Sequence, residues 1–114
     1  MIRTVASLAP AVLWLLLSPC QAAWGAERDV ERGGRLAAEK CGRCHALGRE
    51  GASPHRAAPP FRDLHKRWPL DNLEEALAEG ITTGHPDMPE FRFEPDEIAA
   101  LIAFMKSLTA ARKR

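Results

Sequence analysis

The chain has 114 residues, with 16 Lys and Arg against 15 Asp and Glu, three cysteines and no tyrosine. That length bounds it to one small domain with too little apolar volume for a large core, and the near-balanced charge excludes the wholly basic surface of a general nucleic-acid binder.

Residues 1–23 carry a single charge, Arg3, followed by an apolar run through Leu15, Leu16 and Leu17. This is the layout of a signal peptide. Pro10, Ser18 and Pro19 interrupt the run, which is shorter than the roughly 20 residues a membrane-spanning helix needs, so a cleaved leader fits better than an uncleaved anchor. The small residues Ala22, Ala23 and Gly25 place the expected cut between Ala22 and Ala26. Leu17-Ser18-Pro19-Cys20 resembles a lipoprotein cleavage site, but Pro19 stands where a small residue belongs, and Cys20 is expected to leave with the leader. The functional domain is then residues 24–114. Its charge is uneven: residues 24–70 hold 10 basic and 6 acidic side chains, and residues 71–114 hold 5 and 9. Such a dipole can orient a charged partner during encounter.

Within the domain a first helix is expected from about Asp29 to Lys40, with Val30, Gly33, Gly34, Ala37 and Ala38 forming a small-residue face. Two adjacent helical glycines cost about 1 kcal/mol each against alanine, so they predict a chain segment packed closely on that face. Gly48 to Pro60 reads as a loop, with Pro54, Pro59 and Pro60 excluding a helix interior. A second helix follows from about Pro69 or Asp71 to Glu79. There Asp71 and Glu74 resemble a capping box, Leu70, Leu73 and Leu77 share a face, and Gly80 is the stop. Residues 81–93 form a second loop. Glu94-Pro95-Asp96-Glu97 then opens a last helix, with proline in its first turn and acids at its positive end. Its apolar stripe is Ile98, Leu101, Ile102, Met105 and Leu108, and Arg112, Lys113 and Arg114 suit its C-terminal dipole. No segment reads as a strand.

Cys41-Gly42-Arg43-Cys44-His45 is the most specific signal in the chain, because C-x-x-C-H is the attachment pattern of c-type haem. Two thiols one helical turn apart suit thioether bonds to the two vinyl groups on one porphyrin edge, and the adjacent histidine suits one axial position of the iron. A covalent cofactor also supplies the stabilisation that so short a chain, left with two cysteines after leader removal, lacks. The rival readings are a thioredoxin-like redox pair, half a zinc site and a structural disulfide. A thioredoxin-like motif belongs in a βαβ setting. A zinc site needs a fourth ligand from His55, His65 or His85, none at finger-like spacing from another.

With that motif, residues 32–108 resemble a class I cytochrome c. Gly33 stands eight residues before Cys41, where the family has a glycine at the crossing of its first and last helices, and Phe104 matches the facing aromatic. Ala37 stands where many members have phenylalanine, a departure that implies altered packing at the crossing. The resemblance implies an all-α cytochrome c fold, with three main helices and long loops wrapped around one covalent haem c held by Cys41 and Cys44. Gly84-His85-Pro86-Asp87-Met88-Pro89-Glu90-Phe91 resembles the family's methionine loop, which makes Met88 the expected sixth ligand opposite His45. Pro86 and Pro89 restrict that loop. His85 is the main alternative ligand, His55 and His65 are expected in the loop before the second helix, and Met105 is expected in the core. Ala58-Pro59-Pro60-Phe61 resembles the segment whose proline carbonyl accepts the axial histidine's proton, with Pro60 the better match. Trp68, Arg62 and Arg67 are candidates for the haem propionates or for ordinary packing and surface charge.

The implied function is that of a periplasmic one-electron Fe(III)/Fe(II) carrier, not an enzyme. It would be monomeric, without stable membrane insertion once the leader is removed, and would dock transiently on redox partner proteins with a small interface. Two alternatives stay open: a fixed electron-accepting subunit of a dehydrogenase or oxidase complex, and a haem sensor or peroxidase-type protein with a displaceable sixth ligand.

Overall fold

Gln21, Ala22, Ala23, Ala26, Glu27 and Arg28 are strong helix formers, and only Trp24 and Gly25 interrupt them. The first helix accordingly starts earlier than expected. The computed structural model describes residues 20–80 and 86–110, and α1 spans Cys20–Lys40. The helix thus runs through the expected cleavage window. The rest of the expected leader lies outside the described residues, as do His85 and the cationic tail.

Three further helices complete the described residues, which include no strand: α2 (Phe61–Arg67), α3 (Leu70–Glu79) and α4 (Pro95–Thr109). The all-α expectation holds, with α2 as an addition. Its seven residues are too few for a periodic signal, and only Phe61 and Leu64, three apart, are buried. His65, expected in a loop, is therefore on α2, on its exposed side.

The expected capping box of α3 does not form. Helix α3 begins one residue before Asp71, at Leu70, with Pro69 as its N-cap, and the Asn72 and Leu73 N–H groups both donate to the Pro69 carbonyl at 3.1 and 3.2 Å. Asp71 is left inside the first turn, where its charge still suits the helix dipole. Gly80 ends the helix as expected, at φ +93°, a backbone conformation that side chains with a Cβ resist. At α4 the Glu97 carboxylate accepts the Glu94 N–H at 3.0 Å, and Pro95 sits in the first turn.

The glycine pair meets α4. A Cβ on Gly33 would run into the Ala100 carbonyl oxygen and lie 2.9 Å from Phe104 Cβ, so only a glycine lets the two backbones approach this closely. Gly34 lies beneath the Phe104 ring. Ala37 and Ala100 are fully buried at the same crossing, while Ala38 is exposed. Arg32 pairs with Asp96 at 2.7 Å across it. From there the core extends through Phe61, Leu64, Leu77, Ile98, Leu101, Ile102 and Met105, with Leu36, Leu47, Leu70, Leu73 and Leu108 packed around it. Met105 is thus core, as expected. Among the described residues no polar or charged side chain is buried, and no helix is long and apolar enough to cross a membrane.

Arg49 fastens the loop after α1 to the far end of α4. It donates to the carbonyls of Ser107 at 2.6 Å, Ala110 at 3.0 Å and Leu108 at 3.3 Å, which are among the acceptors a helix C-terminus leaves unsatisfied.

Candidate haem site

The C-x-x-C-H motif continues the last turn of α1. Cys41 and Gly42 both donate their N–H groups to the Ala37 carbonyl, at 2.8 and 2.9 Å, and Cys44 and His45 donate theirs to the Cys41 carbonyl, at 3.1 and 3.0 Å. The two thiols are therefore presented by one tight turn. Both are free and half-buried. Burial, helped by the neighbouring Cys44, pushes the Cys41 thiol up to about 11. A thiol raised in this way stays protonated near neutrality, unlike the lowered thiol of a dithiol redox pair. Among the described residues no three His, Cys, Asp or Glu side chains converge as a zinc site requires.

His45 is held from one side. Its Nδ1 lies 2.7 Å from the Pro59 carbonyl oxygen. A carbonyl only accepts, so Nδ1 carries the hydrogen and Nε2 is the nitrogen left with a lone pair for a metal. The sequence pointed to Pro60 for this contact, and the structure corrects it to Pro59. The reason is local: Pro60 is the N-cap of α2 and its carbonyl accepts the Asp63 N–H at 2.9 Å, inside that helix's first turn. The next residue, Phe61, packs its ring 5.4 Å from the His45 imidazole and 6.4 Å from the Phe104 ring. The same residue donates its N–H to the Ala46 carbonyl at 2.9 Å, and the Ala46 N–H reaches Ser53 Oγ at 3.0 Å. An aromatic column thus joins His45 to the α1–α4 crossing.

Of the propionate candidates, Arg62 is engaged elsewhere. It donates to the carbonyls of Gly48 at 3.3 Å and Gly51 at 2.7 Å, pinning the loop after the motif to α2. Arg67 is exposed in the last turn of α2, and Trp68, its C-cap, is 48 % exposed.

Met88 is half-buried, directly after a turn at Pro86 and Asp87. That turn is tied to the segment after the haem motif by His55, whose Nε2 lies 3.2 Å from Asp87 Oδ2. The sequence placed His55 in this loop but marked neither its contact with Asp87 nor the role of Arg49, because both contacts reach more than thirty residues along the chain, which no local pattern marks. The displacement from Pro60 to Pro59 follows from the start of α2, whose seven residues carry no periodic signal.

The residues present fit a covalent haem. Two unpaired thiols share one turn, an imidazole is oriented with one nitrogen free for iron, and the surroundings are apolar and aromatic. A family model described as Cytochrome c matches residues 30–109, more than half of the chain. No curated protein and no solved structure matches it. The motif, the all-helical architecture and the family match agree: the chain belongs to the cytochrome c family, whose members bind haem c covalently and transfer electrons with redox partners.

Proposed function

We propose that this cytochrome is an exported, monomeric one-electron shuttle. In this reading haem c is attached through Cys41 and Cys44, and its iron is ligated by His45 and Met88. The observation that carries the reading is the 2.7 Å contact between His45 Nδ1 and the Pro59 carbonyl, beside two free thiols in the preceding turn. Hydrogen bonding at Nδ1 stops the imidazole from rotating and makes Nε2 a stronger donor.

The bound haem supplies the Fe(III)/Fe(II) couple. Cys41 and Cys44, both free thiols, would hold the haem through thioether bonds to its two vinyl groups. Met88 contributes a neutral, soft thioether sulfur, which favours the ferrous state relative to a second imidazole and so raises the reduction potential. Phe61 and the leucines around it keep water from one side of the site, which lowers the local dielectric. Export to the periplasm is supported by the charge and apolar pattern of residues 1–23. Docking is expected to be brief and over a small area.

The test is the optical spectrum of protein matured with haem, oxidised and reduced, beside Met88→Ala. A long-wavelength sulfur-to-iron band in the wild type that the variant loses supports the His45/Met88 carrier. Covalent haem without that band, or with a band insensitive to the substitution, removes Met88 and favours a displaceable-ligand sensor or enzyme.

A further inference from the structure

His55 is fixed by its own backbone surroundings before it touches anything distant. Its N–H donates to the Cys44 carbonyl at 3.1 Å and its carbonyl accepts the Ala58 N–H at 3.0 Å. Its ring Nδ1 accepts the Ala57 N–H at 3.2 Å. A backbone N–H can only donate, so Nδ1 is unprotonated in this arrangement and the ring hydrogen sits on Nε2. That hydrogen faces Asp87 Oδ2, 3.2 Å away and 32 residues further along the chain.

The contact joins two places that matter. At one end is the turn that carries Cys44 and His45, reached through the Cys44 carbonyl; at the other is Asp87, the residue before Met88. Pro86 and Pro89 limit the backbone freedom of this short segment, so a tether on Asp87 also restrains Met88. From this juxtaposition we infer that His55 is a positioning residue for the sixth ligand: through Asp87 it braces the Met88 turn against opening and slows displacement of Met88 from the iron by an outside ligand. The inference rests on the His45/Met88 reading proposed above. The two side chains are 35 % and 63 % exposed, and exposed pairs add little to global stability. The role is local, on the opening of one turn, which a hydrogen bond can hinder without adding to global stability.

The test uses ferric, haem-bearing protein: wild type, His55→Leu, Asp87→Ala, Asp87→Asn and the His55→Leu/Asp87→Ala double variant. The readouts are the sulfur-to-iron band and the stopped-flow rate at which imidazole replaces the native sixth ligand. Losing one hydrogen bond of ordinary strength should speed replacement about threefold to tenfold in His55→Leu and in Asp87→Ala. The double variant should be no faster than either single one, because both remove the same contact. Asp87→Asn keeps an acceptor oxygen and should stay close to wild type. If His55→Leu fails to mature, the contrast between Asp87→Ala and Asp87→Asn decides alone. A wild-type band with unchanged rates in His55→Leu and Asp87→Ala, or with effects that multiply in the double variant, overturns the brace while leaving Met88 as ligand. Absence of the band from wild type overturns the axial reading and the brace together.

Discussion

Replacing Gly33 and Gly34 separately by alanine tests the helix crossing with an internal control. Both positions lie in the interior of α1, so each substitution gains about 1 kcal/mol of helix propensity. At Gly34 the new methyl would sit 3.3 and 3.4 Å from Phe104 Cε2 and Cδ2, and a ring at the end of a side chain can yield a few tenths of an ångström. Gly34→Ala should therefore be close to wild type or slightly more stable. At Gly33 the methyl would collide with the Ala100 carbonyl oxygen and lie 2.5 Å from its carbon. Those are backbone atoms, and relieving the overlap means moving α1 off α4. Overpacking costs about 1–3 kcal/mol when side chains can adjust, and the cost here sits at or above the upper end, leaving a net loss of about 2 kcal/mol after the propensity gain. In a domain of this size that is a fall of roughly 10 °C in thermal midpoint. Denaturant and thermal unfolding of the haem-bearing proteins, followed by circular dichroism, measure both. If Gly33→Ala were as stable as Gly34→Ala, the claim that backbone contact sets this crossing would be refuted.

Arg49→Ala removes three hydrogen bonds to the carbonyls at the end of α4 and should cost about 1–2 kcal/mol after allowance for solvent exposure, with Arg49→Lys recovering only part; an unchanged denaturation midpoint would mean that the clamp is idle. The Asp96 carboxyl is held below the usual carboxylate range, first by its hydrogen bond to Arg32 and then by that residue's charge. A lowered folded value means that this stabilisation is complete above the ordinary Asp range and is lost as pH falls through the folded value. The difference in thermal midpoint between wild type and Asp96→Asn should accordingly shrink towards zero in acid, and a difference constant with pH would contradict the pairing. In the double variant Cys41→Ser/Cys44→Ser, any haem retained should be extracted by acidified acetone, whereas wild-type haem should stay with the polypeptide; extraction from both would rule out thioether attachment.

The short-range features were legible in the chain. The C-x-x-C-H motif, the Gly80 stop, the Glu94–Glu97 start of α4 and its apolar stripe each depend on residues within a turn or two of one another, so their spacing carries the information. The pairing of Gly33 with Phe104 was legible for a different reason: a glycine pair in a helix has a cost that only close packing offsets, and the family resemblance named the partner. Helix α2 was not legible, because seven residues with two buried side chains give no period to read. The Asp71–Glu74 box misled because the helix began one residue earlier, on a proline carbonyl that no side-chain pattern announces.

What local order could not supply is which distant atoms meet. Pro59 and Pro60 are chemically equivalent as acceptors, and only the start of α2, which engages the Pro60 carbonyl, leaves Pro59 to receive the His45 proton. That the Arg62 guanidinium reaches the Gly48 and Gly51 carbonyls depends on where that loop passes α2. Arg49 on the end of α4 and His55 on Asp87 depend likewise on where the loops cross. Spacing along the chain decides which elements form and which residues can bear a haem, because those properties are local. The choice among equivalent carbonyls and carboxylates belongs to the packed structure, because a hydrogen bond is made only where packing brings donor and acceptor within about 3 Å.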